Sequence, residues 1–238
     1  MRSTNMLRAF APLLACAVTV GSGVASAAPK SKGHVVLVGS SSVNDAFGDV
    51  VVDALEREGY DVVRRGYPSA GLSRPDFRNM ATELSSMRIG PSTDAVMLYL
   101  GGNDAQALWL EEKERSKGGD AWIKWEEKGW SDVYERRVRQ LVDGICARGA
   151  RRVVVLPPAD VVSAKMQRRL DRVRSLQQRA ASTSKCGRAV ATTGDEGALA
   201  ADGTRLRGPG GVHMTHTGAN RVWDRVSGRV LGFIAKPE

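Results

Sequence analysis

Hydrophobic and polar residues follow two different periods along the chain, and segments of the two kinds alternate. Short apolar runs predict strands at 34–39, 60–66, 94–101, 151–157 and 188–193. Segments whose apolar residues recur every three or four positions predict helices at about 44–58, 76–88, 131–148, 164–184 and 215–234. This alternation predicts a three-layer α/β/α fold, in which helices cover both faces of a five-stranded parallel sheet.

Residues 1–27 fit neither period and have the composition of a targeting segment. Arg2 and Arg8 flank the start of an apolar run that is too short to span a membrane comfortably, and Ala25 and Ala27 are typical of a cleavage site. We therefore predict a signal peptide cleaved near Ala27 and a periplasmic or secreted mature protein without a transmembrane anchor. Lipoprotein processing at Cys16 is less favoured, because the apolar run continues past that residue.

Length and charge limit the classes of function that fit. The chain has 238 residues, 42% of them hydrophobic, which predicts one sizeable core and a single domain over residues 34–236. The formal net charge is +9, and removal of residues 1–27 leaves 33 basic and 26 acidic residues, or +7. The basic residues are spread along helices and form no recognised nucleic-acid module, so we expect no nucleic-acid partner. An anionic polysaccharide or a membrane surface stays open as a partner.

The segment 105–130 interrupts the alternation and contains four of the five tryptophans. Its place after the third strand predicts an insertion over the carboxyl edge of the sheet. Two interpretations fit this composition. The tryptophan rings fix a long loop to the core, or they form a lid whose aromatic faces bind sugar rings.

Four positions that suit catalysis follow predicted strands or precede the last helix. They are Ser41 in "GSS", Gly71 in "YPSAGLSRPDF", Asn103 in "YLGGND" and His213 in "GGVHMTHTGAN". The carboxyl ends of parallel strands share one edge of the sheet, where ligands bind in open α/β folds. We therefore expect the four residues to meet at that edge.

These four blocks, in this order, resemble the SGNH (GDSL-type) hydrolase superfamily, and most of all its exported bacterial members of unknown substrate. The resemblance extends from His34 to the final helix. It implies that Ser41 is the nucleophile and that His213 is its general base. It also implies an oxyanion hole formed by the backbone N–H groups of Ser41 and Gly71 and by the side-chain amide of Asn103.

The resemblance implies a serine hydrolase that acts on a small-molecule or carbohydrate ester. The predicted export and the tryptophan-rich segment favour acyl groups on envelope or extracellular carbohydrate as the substrate. The resemblance implies no metal and no organic cofactor. An acyltransferase that uses the same serine is a close alternative. A nucleotide-binding domain is disfavoured, because neither of the common glycine-rich phosphate motifs follows a strand.

Two positions depart from the family pattern. Ser40 stands where the family has Asp before the nucleophile, and Gly210 stands where it has Asp three residues before the histidine. A histidine without a carboxylate lacks the partner that fixes its tautomer. Three explanations follow: Asp202 substitutes as the acid, a Ser–His dyad works alone, or the protein is an inactive carbohydrate- or envelope-binding protein. We expect His216, on the first turn of the last helix, to be a surface residue.

Cys146 and Cys186 are the two cysteines that follow the predicted signal peptide. Cys146 ends the helix before the fourth predicted strand, and Cys186 precedes the fifth. If those strands are neighbours, both cysteines lie at the amino-terminal edge of the sheet, opposite the candidate site. We predict a structural disulfide between them, with two separate buried thiols as the alternative.

Overall fold

The computed structural model describes residues 31–194 and 197–236. The predicted signal peptide, with Cys16, lies outside the described residues. Within the described ranges, no helix combines the length and the apolar composition needed to cross a membrane.

Five parallel strands form the central sheet and confirm the predicted fold class. In chain order they are β1 (Gly33–Gly39), β2 (Tyr60–Gly66), β3 (Ala95–Tyr99), β6 (Arg152–Leu156) and β7 (Gly187–Ala189). Two short strands, β4 (Leu108–Trp109) and β5 (Trp122–Ile123), form a separate pair outside this sheet. The sheet order is β2-β1-β3-β6-β7, and every neighbouring pair is parallel. The chain therefore moves outward to β2 and then returns past β1 to β3, which creates a switch point beyond the carboxyl ends of β1 and β3.

The last strand of the sheet is shorter than its predicted range of 188–193. Its partner β6 ends at Leu156, and Pro157 and Pro158 follow directly. Proline carries no backbone N–H and cannot extend the ladder. Backbone pairing therefore stops early, with the N–H of Val190 donating to the carbonyl of Val155 at 2.9 Å.

Among the described residues, helices cover both faces of the sheet. They are α1 (Ser41–Asn44), α2 (Ala46–Arg57), α3 (Met80–Ser85), α4 (Gly129–Ala147), α5 (Ala164–Ser182) and α6 (His216–Ile234). Alternate residues of β1 point to opposite faces, so Val35 and Leu37 enter the core under α2 and α6, while Val36 and Val38 enter the core under α3, α4 and α5. The two cores hold the sheet rigidly between helical layers.

The helix predicted at 44–58 is broken into α1 and α2. Asp45 lies between them with an extended backbone, φ −103° and ψ −169°. The break turns the four residues of α1 into a separate elbow between β1 and α2. This elbow, residues 41–45, carries the candidate nucleophile.

The tryptophan-rich insertion is folded around the short antiparallel pair of β4 and β5. Trp130 is fully buried, stacks on Tyr134, and donates its Nε1–H to the carbonyl of Gln106 at 2.8 Å. Trp109 and Trp122 meet edge to face with ring centroids 5.0 Å apart. Trp130 therefore anchors the insertion to the core, whereas Trp122 stays 38% exposed.

Cys146 and Cys186 are joined by a disulfide. It connects the last turn of α4 to the start of β7. Both ends lie at the amino-terminal edge of the sheet, because β6 and β7 begin there. The disulfide is thus on the opposite edge from the elbow that carries Ser41.

Candidate active site

Ser41 stands at the carboxyl end of β1, where the chain turns sharply into α1. The Ser40 N–H donates to the carbonyl of Tyr99 on β3 at 3.1 Å, which ties the turn to the neighbouring strand. A side chain at Gly39 would place its Cβ 2.2 Å from the Tyr99 carbonyl oxygen, so only glycine permits this close approach. The buried Ser40 therefore serves the turn, and the half-buried Ser41 is presented at its tip.

His213 approaches Ser41 from the loop before α6. The loop is closed on itself, because the Gly208 N–H donates to the His213 carbonyl at 2.8 Å and Arg207 pairs with Met214 in an isolated bridge. Nε2 of His213 lies 3.5 Å from Oγ of Ser41. The structure thus brings together two residues that are separated by 172 positions in the sequence.

The carboxylate that contacts His213 is that of Asp45. Its Oδ2 accepts a hydrogen bond from Nδ1 of His213, on the side of the ring that faces away from Ser41. Asp45 belongs to the same elbow as Ser41, four residues further along the chain. The apolar periodicity predicts one continuous helix over 44–58, so it does not place the Asp45 side chain in the site. The acidic residue just after the serine turn is the one local signal.

The acid considered from the sequence, Asp202, lies elsewhere. Its carboxylate accepts from the N–H of Thr204 at 2.9 Å, within its own exposed turn. Gly210 is also exposed, and a Cβ added there would meet no atom within 4 Å. The position where the family carries its carboxylate is therefore open space, and the carboxylate that contacts His213 lies on the elbow instead.

Asn103 and Gly71 are also brought to this edge. Nδ2 of Asn103 donates to the carbonyl of Ala70 at 3.0 Å, so the amide lies against the loop that contains Gly71. Gly71 is buried, and a Cβ there would fall 2.2 Å from Oδ1 of Asp104. Only glycine fits between this loop and the end of β3.

Asp104 holds the Gly71 loop from below. Its Oδ1 accepts from the N–H groups of Leu72 at 2.6 Å and Ser73 at 2.8 Å, and its Oδ2 accepts from the hydroxyl of Tyr134 at 2.8 Å. Burial raises the pKa of this fully buried carboxyl, and these hydrogen bonds oppose the rise. The sequence showed "GGND" as a block. It did not show that Asn103 and Asp104 both form hydrogen bonds to the backbone of the Gly71 loop.

His216 is a surface residue with a partner. Its side chain is 71% exposed, and Nε2 lies 3.4 Å from Oδ2 of Asp49 on α2. Among the described residues, no group of three or more His, Cys, Asp or Glu side chains could hold a metal ion.

The arrangement has the parts needed for nucleophilic acyl chemistry. A hydroxyl, an imidazole and a carboxylate stand in hydrogen-bonding order, and a glycine loop and an amide lie at the same edge of the sheet. The side chains of His213 and Asp45 are 47% and 46% exposed. The site is therefore open, and its histidine can be reached by a group carried on a large molecule.

Comparison with known proteins agrees with this architecture. The model of a family described as "Protein of unknown function (DUF459)" matches residues 34–229. An acetyl xylan esterase from Geobacillus stearothermophilus superposes with a TM-score of 0.58 at 17% identity, over 87% of this chain and 98% of that chain. No curated protein matches the sequence.

Two further solved structures are similar. A carbohydrate esterase family 3 protein from Talaromyces cellulolyticus has a TM-score of 0.54 at 14% identity, over 87% of this chain and 100% of that chain. A member of the lipolytic protein G-D-S-L family from Veillonella parvula has a TM-score of 0.54 at 12% identity, over 84% of this chain and 98% of that chain. The likeness at these identities shows the fold, which is the SGNH hydrolase fold.

Proposed function

This chain belongs to the family described as a protein of unknown function (DUF459), and we propose that it is a serine hydrolase that cleaves carboxylic esters. One observation carries the proposal: Ser41, His213 and Asp45 stand in the order hydroxyl, imidazole, carboxylate. In this order the imidazole can take the serine proton while the carboxylate stabilises the imidazolium that forms. The esterases that share the fold support the same class of reaction.

In the first half of the reaction, Oγ of Ser41 attacks the carbonyl carbon of the ester while its proton moves to Nε2 of His213. The carbonyl electrons move to oxygen and give a tetrahedral intermediate. When the intermediate collapses, the bond to the alcohol oxygen breaks, and the alcohol leaves with the proton from His213. Ser41 now carries the acyl group as an ester.

In the second half, water replaces the alcohol. His213 takes a proton from the water as its oxygen attacks the acyl carbon, and a second tetrahedral intermediate forms. Collapse breaks the bond to Oγ of Ser41, which regains its proton from His213. The products are a carboxylic acid and free enzyme.

Negative charge develops on the former carbonyl oxygen in both halves. We assign its stabilisation to the backbone N–H groups of Ser41 and Gly71 and to the amide of Asn103. A side-chain amide carries two N–H donors, so one can hold Ala70 while the other serves the oxyanion. Asp104 supports this role, because its two hydrogen bonds to Leu72 and Ser73 hold the loop in place before substrate binds.

The separation of 3.5 Å between Ser41 and His213 is long for a hydrogen bond. Catalytic hydrogen bonds are often long without substrate and shorten in the complex.

For the substrate, we propose acyl groups on envelope or extracellular carbohydrate, cleaved by a protein exported through its signal peptide. Three observations support this class: the open site, the carbohydrate esterases among the similar structures, and the exposed ring of Trp122. Arg74 packs over the ring of Trp122 at 4.8 Å, which braces the indole near the Gly71 loop. A braced and exposed indole is suited to stacking against a sugar ring.

Two alternatives to a hydrolase differ from it in the fate of the acyl group: an acyltransferase and an inactive binding protein. An acyltransferase shares the first half of the reaction and passes the acyl group to a sugar hydroxyl instead of water. An inactive binding protein is favoured by the departures from the family pattern at Ser40 and Gly210, whereas the contact between Asp45 and His213 supports the enzyme.

The proposal is tested by hydrolysis of p-nitrophenyl acetate and by labelling with a fluorophosphonate. We expect serine-dependent turnover and labelling at Ser41, both abolished in Ser41→Ala. Ser42→Ala is the matched control, since its hydroxyl is one position along the same helix, and it should retain activity. Equal rates for wild type and Ser41→Ala, with no labelling of Ser41, would rule out the serine hydrolase function and support a binding role. Transfer to an added sugar in preference to water would identify an acyltransferase.

A further inference from the structure

The acid of the site is held in an unusual way. Asp45 is the N-cap residue of α2, and an aspartate at this position ordinarily caps its own helix. Within the described chain, the Asp45 side chain makes no capping hydrogen bond to α2 and is turned to His213 instead. The direction of this carboxylate therefore depends on where the backbone of the elbow is placed.

Arg64 on the edge strand β2 contacts that backbone. Its Nε donates to the carbonyl of Val43, and its Nη2 lies 3.4 Å from the carbonyl of Asp45. Carbonyl groups at the end of a helix lack partners within it, and a helix as short as α1 leaves all of its carbonyls in this position. The planar guanidinium supplies several donors in a fixed geometry, so one side chain can contact both the Val43 carbonyl and the Asp45 carbonyl, which also accepts from the N–H of Asp49 at 3.1 Å.

The same guanidinium is fixed on its other side. Nη1 of Arg64 donates to Oδ1 of Asp49 at 2.5 Å, and this hydrogen bond is the main cause that lowers the pKa of Asp49. Oδ2 of Asp49 in turn lies 3.4 Å from Nε2 of His216. Arg64 therefore links the elbow to α2, and Asp49 links that unit to the helix that follows His213.

Two glycines allow this close packing. A Cβ at Gly48 would fall 1.8 Å from the carbonyl oxygen of Val43 and 2.9 Å from Cζ of Arg64. A Cβ at Gly66 would fall 2.1 Å from Oδ1 of Asn44, whose Nδ2 donates to the Gly66 carbonyl at 3.0 Å. Arg64 and Gly66 are two residues apart and so face the same side of the sheet. Strand β2 thus holds the elbow at two points.

We propose that Arg64 is a positioning residue that sets the carboxylate of Asp45 against His213 by holding the backbone on both sides of the elbow break. The proposal rests on the serine hydrolase function proposed above. Arg64 acts through Asp45 and does not touch the substrate. Removing its side chain should misplace the acid, and a misplacement of about 1 Å can cost roughly 10²-fold in rate.

The test compares Arg64→Gln and Arg64→Lys with Arg65→Gln. Arg65 is the matched control, because it lies on the same strand, is exposed, and donates to a backbone carbonyl of β2 itself. For Arg64→Gln we expect kcat on p-nitrophenyl acetate to fall roughly 10- to 100-fold with KM changed less than about twofold. Arg64→Lys keeps the charge but loses the planar set of donors of the guanidinium, so its kcat should lie between those of wild type and Arg64→Gln. Arg65→Gln should match wild type.

A double-mutant cycle with Asp45→Ala separates positioning from general loss of structure. If Arg64 acts through Asp45, Arg64→Gln should lower kcat less than about twofold further in the Asp45→Ala background. The same loss in both backgrounds, or a loss as large in Arg65→Gln, would overturn the proposal. Melting temperatures of all variants identify any that fail to fold, and Arg64→Lys then replaces Arg64→Gln in the cycle.

A spectroscopic measurement distinguishes this proposal from the hydrolase function. Proton NMR should show a strongly downfield resonance for the proton shared by His213 and Asp45, absent in Asp45→Ala. If wild type cleaves no ester but Arg64→Gln loses this resonance while Arg65→Gln keeps it, the function is wrong and the positioning role holds. If wild type is active and Arg64→Gln keeps both the resonance and the rate, the function holds and the positioning role is wrong.

Discussion

The Nδ1 atom of His213 shares a hydrogen bond with the carboxylate of Asp45, although 168 positions separate the two residues in the sequence. In the family pattern the acid lies three residues before the histidine, and that position is Gly210 here. In this protein the acid comes from the nucleophile's side of the site. Ser41 and Asp45 are therefore carried on the same elbow, and His213 contacts both of them from a different loop.

Replacement of Asp45 should abolish most of the activity. We expect Asp45→Asn to lower kcat by up to roughly 10⁴-fold, because the amide cannot stabilise the imidazolium and favours the wrong tautomer. Asp202→Asn should retain the wild-type rate, since that carboxylate only accepts from its own turn. Initial rates on p-nitrophenyl acetate for both variants, with melting temperatures, decide between the two acids. A collapse in Asp202→Asn with full activity in Asp45→Asn would reverse this assignment.

Restoration of the family acid should bring no gain. Gly210→Asp introduces a carboxylate into open space, but Nδ1 of His213 already has its partner. We expect kcat within about threefold of wild type, which is less than 0.7 kcal/mol of barrier at about 1.4 kcal/mol per tenfold. In an Asp45→Ala background the same substitution should raise kcat, because the acid position is then vacant. A tenfold rise in the wild-type background would mean that Asp45 does not serve the histidine.

The amide of Asn103 should contribute to the transition state and little to substrate binding. Asn103→Ala is expected to lower kcat roughly 10²- to 10³-fold, as loss of one oxyanion donor does. Asn103→Asp should be worse still, because it places a negative charge beside the developing oxyanion. Steady-state kinetics on both variants provides the measurement, and an increase in KM at constant kcat would argue against the role.

Acid should destabilise the fold in part through Glu114. Burial raises the pKa of this carboxyl, while hydrogen bonds from Arg137 and the Glu111 backbone lower it, and the net result lies below the ordinary value. A carboxyl whose pKa is lower in the folded state than in the unfolded state stabilises the fold at pH values above its unfolded pKa. That stability is lost as the pH falls through its folded pKa. Glu114→Gln also leaves the Arg137 charge without its buried partner, at a cost of about 3–5 kcal/mol.

The melting temperature from about pH 6 to about pH 3 tests this linkage. The difference between wild type and Glu114→Gln should be largest near neutral pH and should shrink on acidification. Glu112→Gln is the matched control, since Glu112 is exposed in the same short turn, and its difference from wild type should stay near zero. A difference for Glu114→Gln that is constant across this range would contradict the prediction.

The disulfide should matter for stability and not for catalysis. It closes a separation of 40 residues at the edge of the sheet opposite Ser41. Replacement of Cys146 and Cys186 by serine should lower the free energy of unfolding by roughly 3–4 kcal/mol, according to the chain-entropy model. Denaturant unfolding measures that loss, and kcat below the melting transition should be unchanged. Two free thiols by mass spectrometry of the protein after alkylation without reductant would contradict the bond itself.

The sequence by itself determined the fold class, the strand-end blocks and the nearness of Ser41 to His213. These features follow from local rules: apolar periodicity sets strand and helix, and the carboxyl ends of parallel strands must share one edge. The insertion at 105–130 was also predictable, because it interrupts the alternation of strands and helices. The positions of residues that lie at the end of a predicted strand or helix were therefore predictable.

Only the tertiary structure decided which carboxylate serves His213. Asp45 and Asp202 are both short acidic side chains in turn-forming sequence, and their distances from the histidine depend on how α6 packs against α2 on one face of the sheet. The elbow at Asp45 also makes a long-range contact, since Arg64 on β2 reaches the carbonyls of Val43 and Asp45 on either side of the break. Hydrogen bonds between distant segments have no period along the chain, so the acid could be found only once the elements were in place.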